Sequence, residues 1–216
     1  MKAVLDTIGA RVPSIRQLLQ IAKALDLPLQ RLLTGSNRAG CAVREIAIEL
    51  RSLGMLDLWV ESAVVPGAYR PGEEVVTLAI AGREPDARIV EGIPAVLAWN
   101  HWNGILLRAF ARATGRRTVY RLGWFADVAL ALERTGGFPG GCPGKEDLLA
   151  FVKRIKKPPP DRWDDLGRPA ERPPASPVWK RWRINYAADL ATFLQRAEGL
   201  VSLANAEERK LSTWEG

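Results

Sequence analysis

The chain predicts a mainly α fold. Apolar residues recur at helical spacing through most of its 216 positions. Glycines and prolines fall mostly between those runs, as stops and starts. Only one segment, around Leu56, Leu58 and Val60, alternates as a strand would. The expected organisation is a short helical fragment over 1–35, a compact multi-helix domain over 41–155, a linker rich in Pro, Arg and Trp over 156–183, and a C-terminal helix over 184–210.

The first pair of helices lies in residues 13–35. Ser14 follows a proline and offers an N-cap, and Ile15, Leu18, Leu19, Ala22 and Leu25 share one face. Pro28 restarts the chain, Leu29, Leu32 and Leu33 form a second apolar face, and Gly35 closes it. After a short hinge, Val43, Ile46, Ala47, Leu50 and Leu53 define an amphipathic helix over 41–53, stopped by Gly54. Met55 to Val65 reads as a strand or an irregular buried segment. Helices follow over 71–81, 85–99, 103–114 and 117–133, opened by Pro71, Pro85 or Asn103 and closed by Gly82 or Gly115. Pro94 lies inside the second of these and predicts a kink or break. Gly136 to Gly144 is a loop, and Glu146 to Ile155 the last helix of that domain. Seven of the fifteen prolines fall in 156–178, among charged residues, which reads as extended chain. Ile184, Tyr186, Leu190, Phe193, Leu194 and Ala197 restore a helical pattern, ahead of a polar tail beyond Ala206.

Composition narrows the function classes. A hydrophobic fraction of 47% with 25% charged residues is that of a globular protein. No run approaches the ~18 apolar residues of a membrane span, and Met1 to Asp6 lacks a secretory leader. Cys41 and Cys142 stand far apart with no pattern around them, so reduced thiols and a cytoplasmic location are expected. The net charge of +7 is unevenly placed. Residues 1–40 hold six basic groups against two acidic, and residues 153–183 hold ten against four, while 41–152 is close to balanced. Such clustering fits a nucleic-acid contact, and equally a solvated face and a charged linker.

The run from Pro13 to Gly35 resembles the last two helices of the Xre-type (phage-repressor) helix-turn-helix family. Leu5 to Ser14 likewise resembles the end of that family's recognition helix and the loop after it. The resemblance implies phosphate contacts at Arg11, Ser14 and Arg16, which position a protein on DNA without reading bases. It also implies a truncated front: the twelve residues before Pro13 are too few for the three helices the family places there, the base reader included. A second resemblance is short. Arg116-Arg117-Thr118-Val119-Tyr120-Arg121-Leu122-Gly123-Trp124 is similar to the arginine–leucine–glycine helix of abortive-infection (AbiEi-type) antitoxins.

Three further motifs bear on chemistry. Lys156 and Lys157 precede the prolines, and Lys180, Arg181 and Arg183 follow them, interleaved with Trp163, Trp179 and Trp182. Cations beside rings suit nucleic acid, the bases stacking while the charges neutralise phosphate. Alternatively the tryptophans are hydrophobic anchors holding the segment to the domain. The glycine-rich run Gly136 to Lys145 departs from a phosphate-binding loop: Pro139 stands where a glycine is needed, and Glu146 replaces the Ser or Thr that would reach magnesium. His101 is the single histidine, so no Cys/His metal set is expected, and its expected place is a turn between packed tryptophans. These observations anticipate a protein without cofactors or catalysis: a DNA-associated transcriptional regulator or antitoxin, or else a protein–protein interaction module without DNA binding. A toxin or other protein partner and a homodimer are the expected companions.

Overall fold

The computed structural model of the chain describes residues 43–58, 70–82, 85–138, 141–155, 162–166, 170–171 and 176–212, with no side-chain description for 43–45 and 207–212. The chain divides between Ala42 and Val43, and every described residue belongs to the second unit. The helical pair over 13–35, with Arg11, Ser14 and Arg16, therefore lies outside the described residues, as do Cys41, Lys156 and Lys157.

The fold is mainly α, as the spacing predicts. The described residues hold eight helices and one two-stranded sheet. Helix α1 (Val43–Ser52) buries Leu50. The chain then turns through Met55 and Leu58, both buried, without forming a strand before residue 59. Helix α2 (Gly72–Ala81) begins on Pro71 with Glu73 and Glu74 in its first turn, where carboxylates suit the helix dipole. Helix α3 (Ala87–Trp99) is capped by Asp86, whose carboxylate accepts the Arg88 amide at 2.8 Å. Pro94 does not break it. The helix runs on through the proline because Ile89, Val90 and every residue from Gly92 to Ala98 are buried, and that packing outweighs the roughly 3 kcal/mol an interior proline costs.

Helix α4 (Gly104–Thr114) is capped by Asn103, whose side-chain oxygen accepts from the amides of Ile105 and Leu106 at 3.1 and 3.2 Å. Gly115, at φ 126°, ends it and lets the chain turn directly into α5 (Arg116–Arg134). Helix α5 is the axis of the unit, packed against α2, α3, α4 and α6 (Lys145–Arg154). It buries an unbroken run from Arg121 to Leu130.

The described part of 156–183 differs from the extended linker its composition suggests. Asp164–Asp165 (β1) pairs in parallel with Ile184–Asn185 (β2). Helix α7 (Pro177–Trp182) packs on α5, and Leu166, Trp179 and Trp182 are buried. The prolines misled because they sit beside these anchors, and Pro177 itself opens a helix at a permitted first-turn position. Residues 184–189 likewise depart from the expected helix: Arg183 takes a left-handed conformation (φ 52°), β2 follows, and helix α8 starts only at Leu190 and runs to Ser212. Its N-cap is Asp189, which accepts from the Thr192 amide at 2.9 Å.

These late elements complete the core. Trp124 of α5 meets Trp179, Tyr186 and Phe193 edge-on, with ring centroids 5.3, 6.0 and 5.7 Å away. Such aromatic pairs contribute about 0.5–1.5 kcal/mol each beyond area burial. Gly123 exists for this packing, since a Cβ there would stand 2.5 Å from the Trp182 ring. Among the described residues no helix is long and apolar enough to cross a membrane.

Candidate anion-binding cleft

The structure sorts the expected site residues into three groups. Arg11, Ser14, Arg16, Lys156 and Lys157 lie outside the described residues. The second group is Lys180, Arg181 and Arg183 around α7. Here the rings and charges are segregated: Trp179 and Trp182 face inward, and their indole N–H groups are taken by the Tyr186 carbonyl (3.3 Å) and the Asp127 carboxylate (2.9 Å). Arg181 also binds Asp127 at 2.8 Å and lies over the Trp182 ring at 5.1 Å. The anchoring reading is therefore the one this geometry supports for Trp179 and Trp182, and neither ring is open for a base to stack on. Lys180 remains exposed.

The arginine–leucine–glycine helix is also accounted for structurally. Arg121 is fully buried and donates to Asp164 through Nε (2.7 Å) and Nη2 (3.0 Å), a two-pronged pair. Its Nη1 donates to the carbonyls of Ile80 (2.8 Å) and Gly82 (2.5 Å), which end α2. One guanidinium thus ties α2, α5 and β1 together. In the glycine-rich run, Lys145 pairs with Glu133 at 2.8 Å, and Gly144 is pressed against the Asn100 carbonyl. That close approach explains the glycine without a phosphate.

The third group gathers around His101, and most of it was not singled out from sequence. His101 is exposed in the connection between α3 and α4. Trp102 beside it is buried, with its indole N–H on the Leu97 carbonyl at 2.8 Å. The connection is fixed from several sides: the Asn100 amide group donates to the Leu53 and Val96 carbonyls, and the Asn103 amide donates to Glu73 at 2.8 Å. A cleft of about 540 Å³ opens beside this connection, between the start of α4 and the outer face of α6. Trp102 and Phe151 form its inner wall, Ile105 stands on its rim, and His101, Arg108 and Arg154 supply its polar lining. The one carboxylate in it, Asp147, accepts from the Trp102 amide at 3.4 Å.

Charge is the distinctive property of this cleft. Among the described residues, Arg108, Arg112 and Arg154 form no ion pair with a carboxylate. Partial burial holds the Arg108 guanidinium below its ordinary pKa, and the nearby charges of Arg112 and Arg154 push in the same direction. Arg108 and Arg154 line the cleft and Arg112 stands one turn along α4 from Arg108, a group of cations that can hold an anion. One sequence signal was available: α4 carries Arg108 and Arg112 four positions apart and contains no acidic residue at all. Arg154 could not be joined to them without the fold.

The protein so far defined is a helical unit with a cation-rimmed cleft. No family model matches the chain, and no curated relative or solved structure is found to match it.

Proposed function

We propose that this chain is a non-enzymatic, nucleic-acid-associated regulator of the transcription-repressor or antitoxin kind, whose helical unit holds phosphate through the cleft between α4 and α6. The observation that carries the reading is the grouping of Arg108, Arg112 and Arg154 without acidic partners. Mutual repulsion among three cations is relieved by a polyanion, and release of counterions supplies the affinity. The exposed charge of Lys180 and the basic residues Lys156 and Lys157 add to the attraction at longer range. The Xre-like opening residues, with Arg11, Ser14 and Arg16, would add backbone contacts of their own.

The test is fluorescence anisotropy with labelled single- and double-stranded DNA across a salt series. Binding should weaken with salt, with a log–log slope at least as steep as the roughly −2 to −3 that three phosphate contacts at Arg108, Arg112 and Arg154 supply. The variant Arg108→Gln/Arg154→Gln should flatten that slope by about 2. Absence of binding even at low salt would overturn the reading and favour the interaction module.

A further inference from the structure

The cleft is more than a basic patch, because its cations border an apolar surface. Ile105 is 73% exposed, the most exposed large apolar side chain among the described residues. It sits on the same rim as Arg108, with Trp102 and Phe151 behind it. An exposed isoleucine on the rim beside two cations offers one ligand an apolar contact and a charged contact together. The amides at the start of α4 are not free to take the anion, since Asn103 already holds those of Ile105 and Leu106. The anion is therefore left to the guanidiniums, and Asp147, which accepts from the Trp102 amide, repels it from that side of the cleft. A volume of about 540 Å³ lies within the 300–1,000 Å³ range of small-ligand sites. A duplex presents only its ridged backbone to such a concavity, whereas an unstacked nucleotide can enter it.

We propose that the cleft accepts one nucleotide unit, its phosphate held by Arg108 and Arg154 and the flat face of its base laid on Ile105. This rests on the nucleic-acid reading above and adds a ligand class and a preference for unpaired strands. The same chemistry is offered by a free mononucleotide and by a residue of a single strand, and competition separates the two.

The experiment measures anisotropy of a labelled oligothymidylate with the full chain, against unlabelled duplex, thymidine monophosphate and inorganic phosphate as competitors. The single strand should bind about tenfold more tightly than duplex of equal length. Ile105→Ala should weaken single-strand binding about fivefold and leave duplex binding unchanged. Because Ile105 is largely exposed, circular dichroism should show the same fold in that variant. Arg88→Gln removes one positive charge at a distant ion pair with Asp86 and should change nothing beyond a weak general salt effect. Displacement by the mononucleotide at lower concentration than by phosphate supports the base contact, and displacement of neither kind places the unit within a strand. Displacement by both phosphate and mononucleotide at the same concentration, or an Ile105→Ala variant indistinguishable from wild type, overturns the proposal while leaving phosphate binding standing. Failure of every nucleic acid to bind overturns both.

Discussion

Replacing Arg121 by methionine tests whether the buried guanidinium is the fastening point of the helical unit. Methionine keeps the length of the side chain and fills most of its volume, so cavity formation is a small part of the effect. What is lost is a set of donors. The Ile80 and Gly82 carbonyls at the end of α2 would be left without the donors they now share. The carbonyl of fully buried Ile80 costs about 1–3 kcal/mol when left unsatisfied, whereas Gly82 is exposed and its carbonyl can turn to water. Asp164 would lose its two-pronged partner and keep only Arg117, 3.4 Å away and largely exposed, which holds a carboxylate weakly. Together these give a destabilisation of about 3–5 kcal/mol, in the range measured when one half of a buried ion pair is removed. Urea denaturation followed by tryptophan fluorescence measures it directly, since Trp124 and Trp179 report on the same core. Adding Asp164→Asn should recover about 1–2 kcal/mol of the loss, because the stranded charge is then gone. A loss under about 1 kcal/mol for the single variant would refute the view that Arg121 is structural.

Two other outcomes follow from the described contacts. Gly123→Ala forces a methyl against the Trp182 ring and should destabilise by about 1–3 kcal/mol, with Trp182→Leu in the same chain relieving most of that increment in a double-mutant cycle. At the start of α8, hydrogen bonds from the Thr192 amide and hydroxyl hold the Asp189 carboxyl below its ordinary pKa. Its contribution is therefore fully present above the ordinary carboxylate range and fades as pH falls through the lowered folded value. Asp189→Ala should lower the melting temperature at neutral pH, and the difference from wild type should close on acidification below about pH 4. A gap that persists in acid would mean that the carboxylate charge is irrelevant to the cap.

Most helix positions were legible because punctuation and periodicity agreed. Pro71, Pro85, Asn103 and Gly115 mark starts and stops that stand within a residue or two of where the helices begin and end. Pro94 was a false stop, since burial on all sides decided in favour of continuity. The region from 156 to 189 was harder for two reasons. Proline content hides the inward tryptophans, and a parallel pairing only two residues long leaves no periodic trace. Part of the candidate cleft was written in α4, a helix without an acidic residue in which Arg108 lines the cleft and Arg112 stands one turn on. The other part was not, because Arg154 and Phe151 reach it from a helix more than forty positions away, through a crossing that only the folded chain creates.

The lateness of the core-closing residues has a kinetic consequence. Tyr186 reaches its Glu91 partner across 95 residues, and Arg196 reaches the Arg88 carbonyl across 108. Helical proteins usually collapse quickly through neighbouring contacts, but here large loops must close before Trp124 is covered. During synthesis the central helix leaves the ribosome well before the segment that shields it. The nascent polypeptide therefore carries that aromatic face uncovered for roughly several seconds at ordinary rates of synthesis.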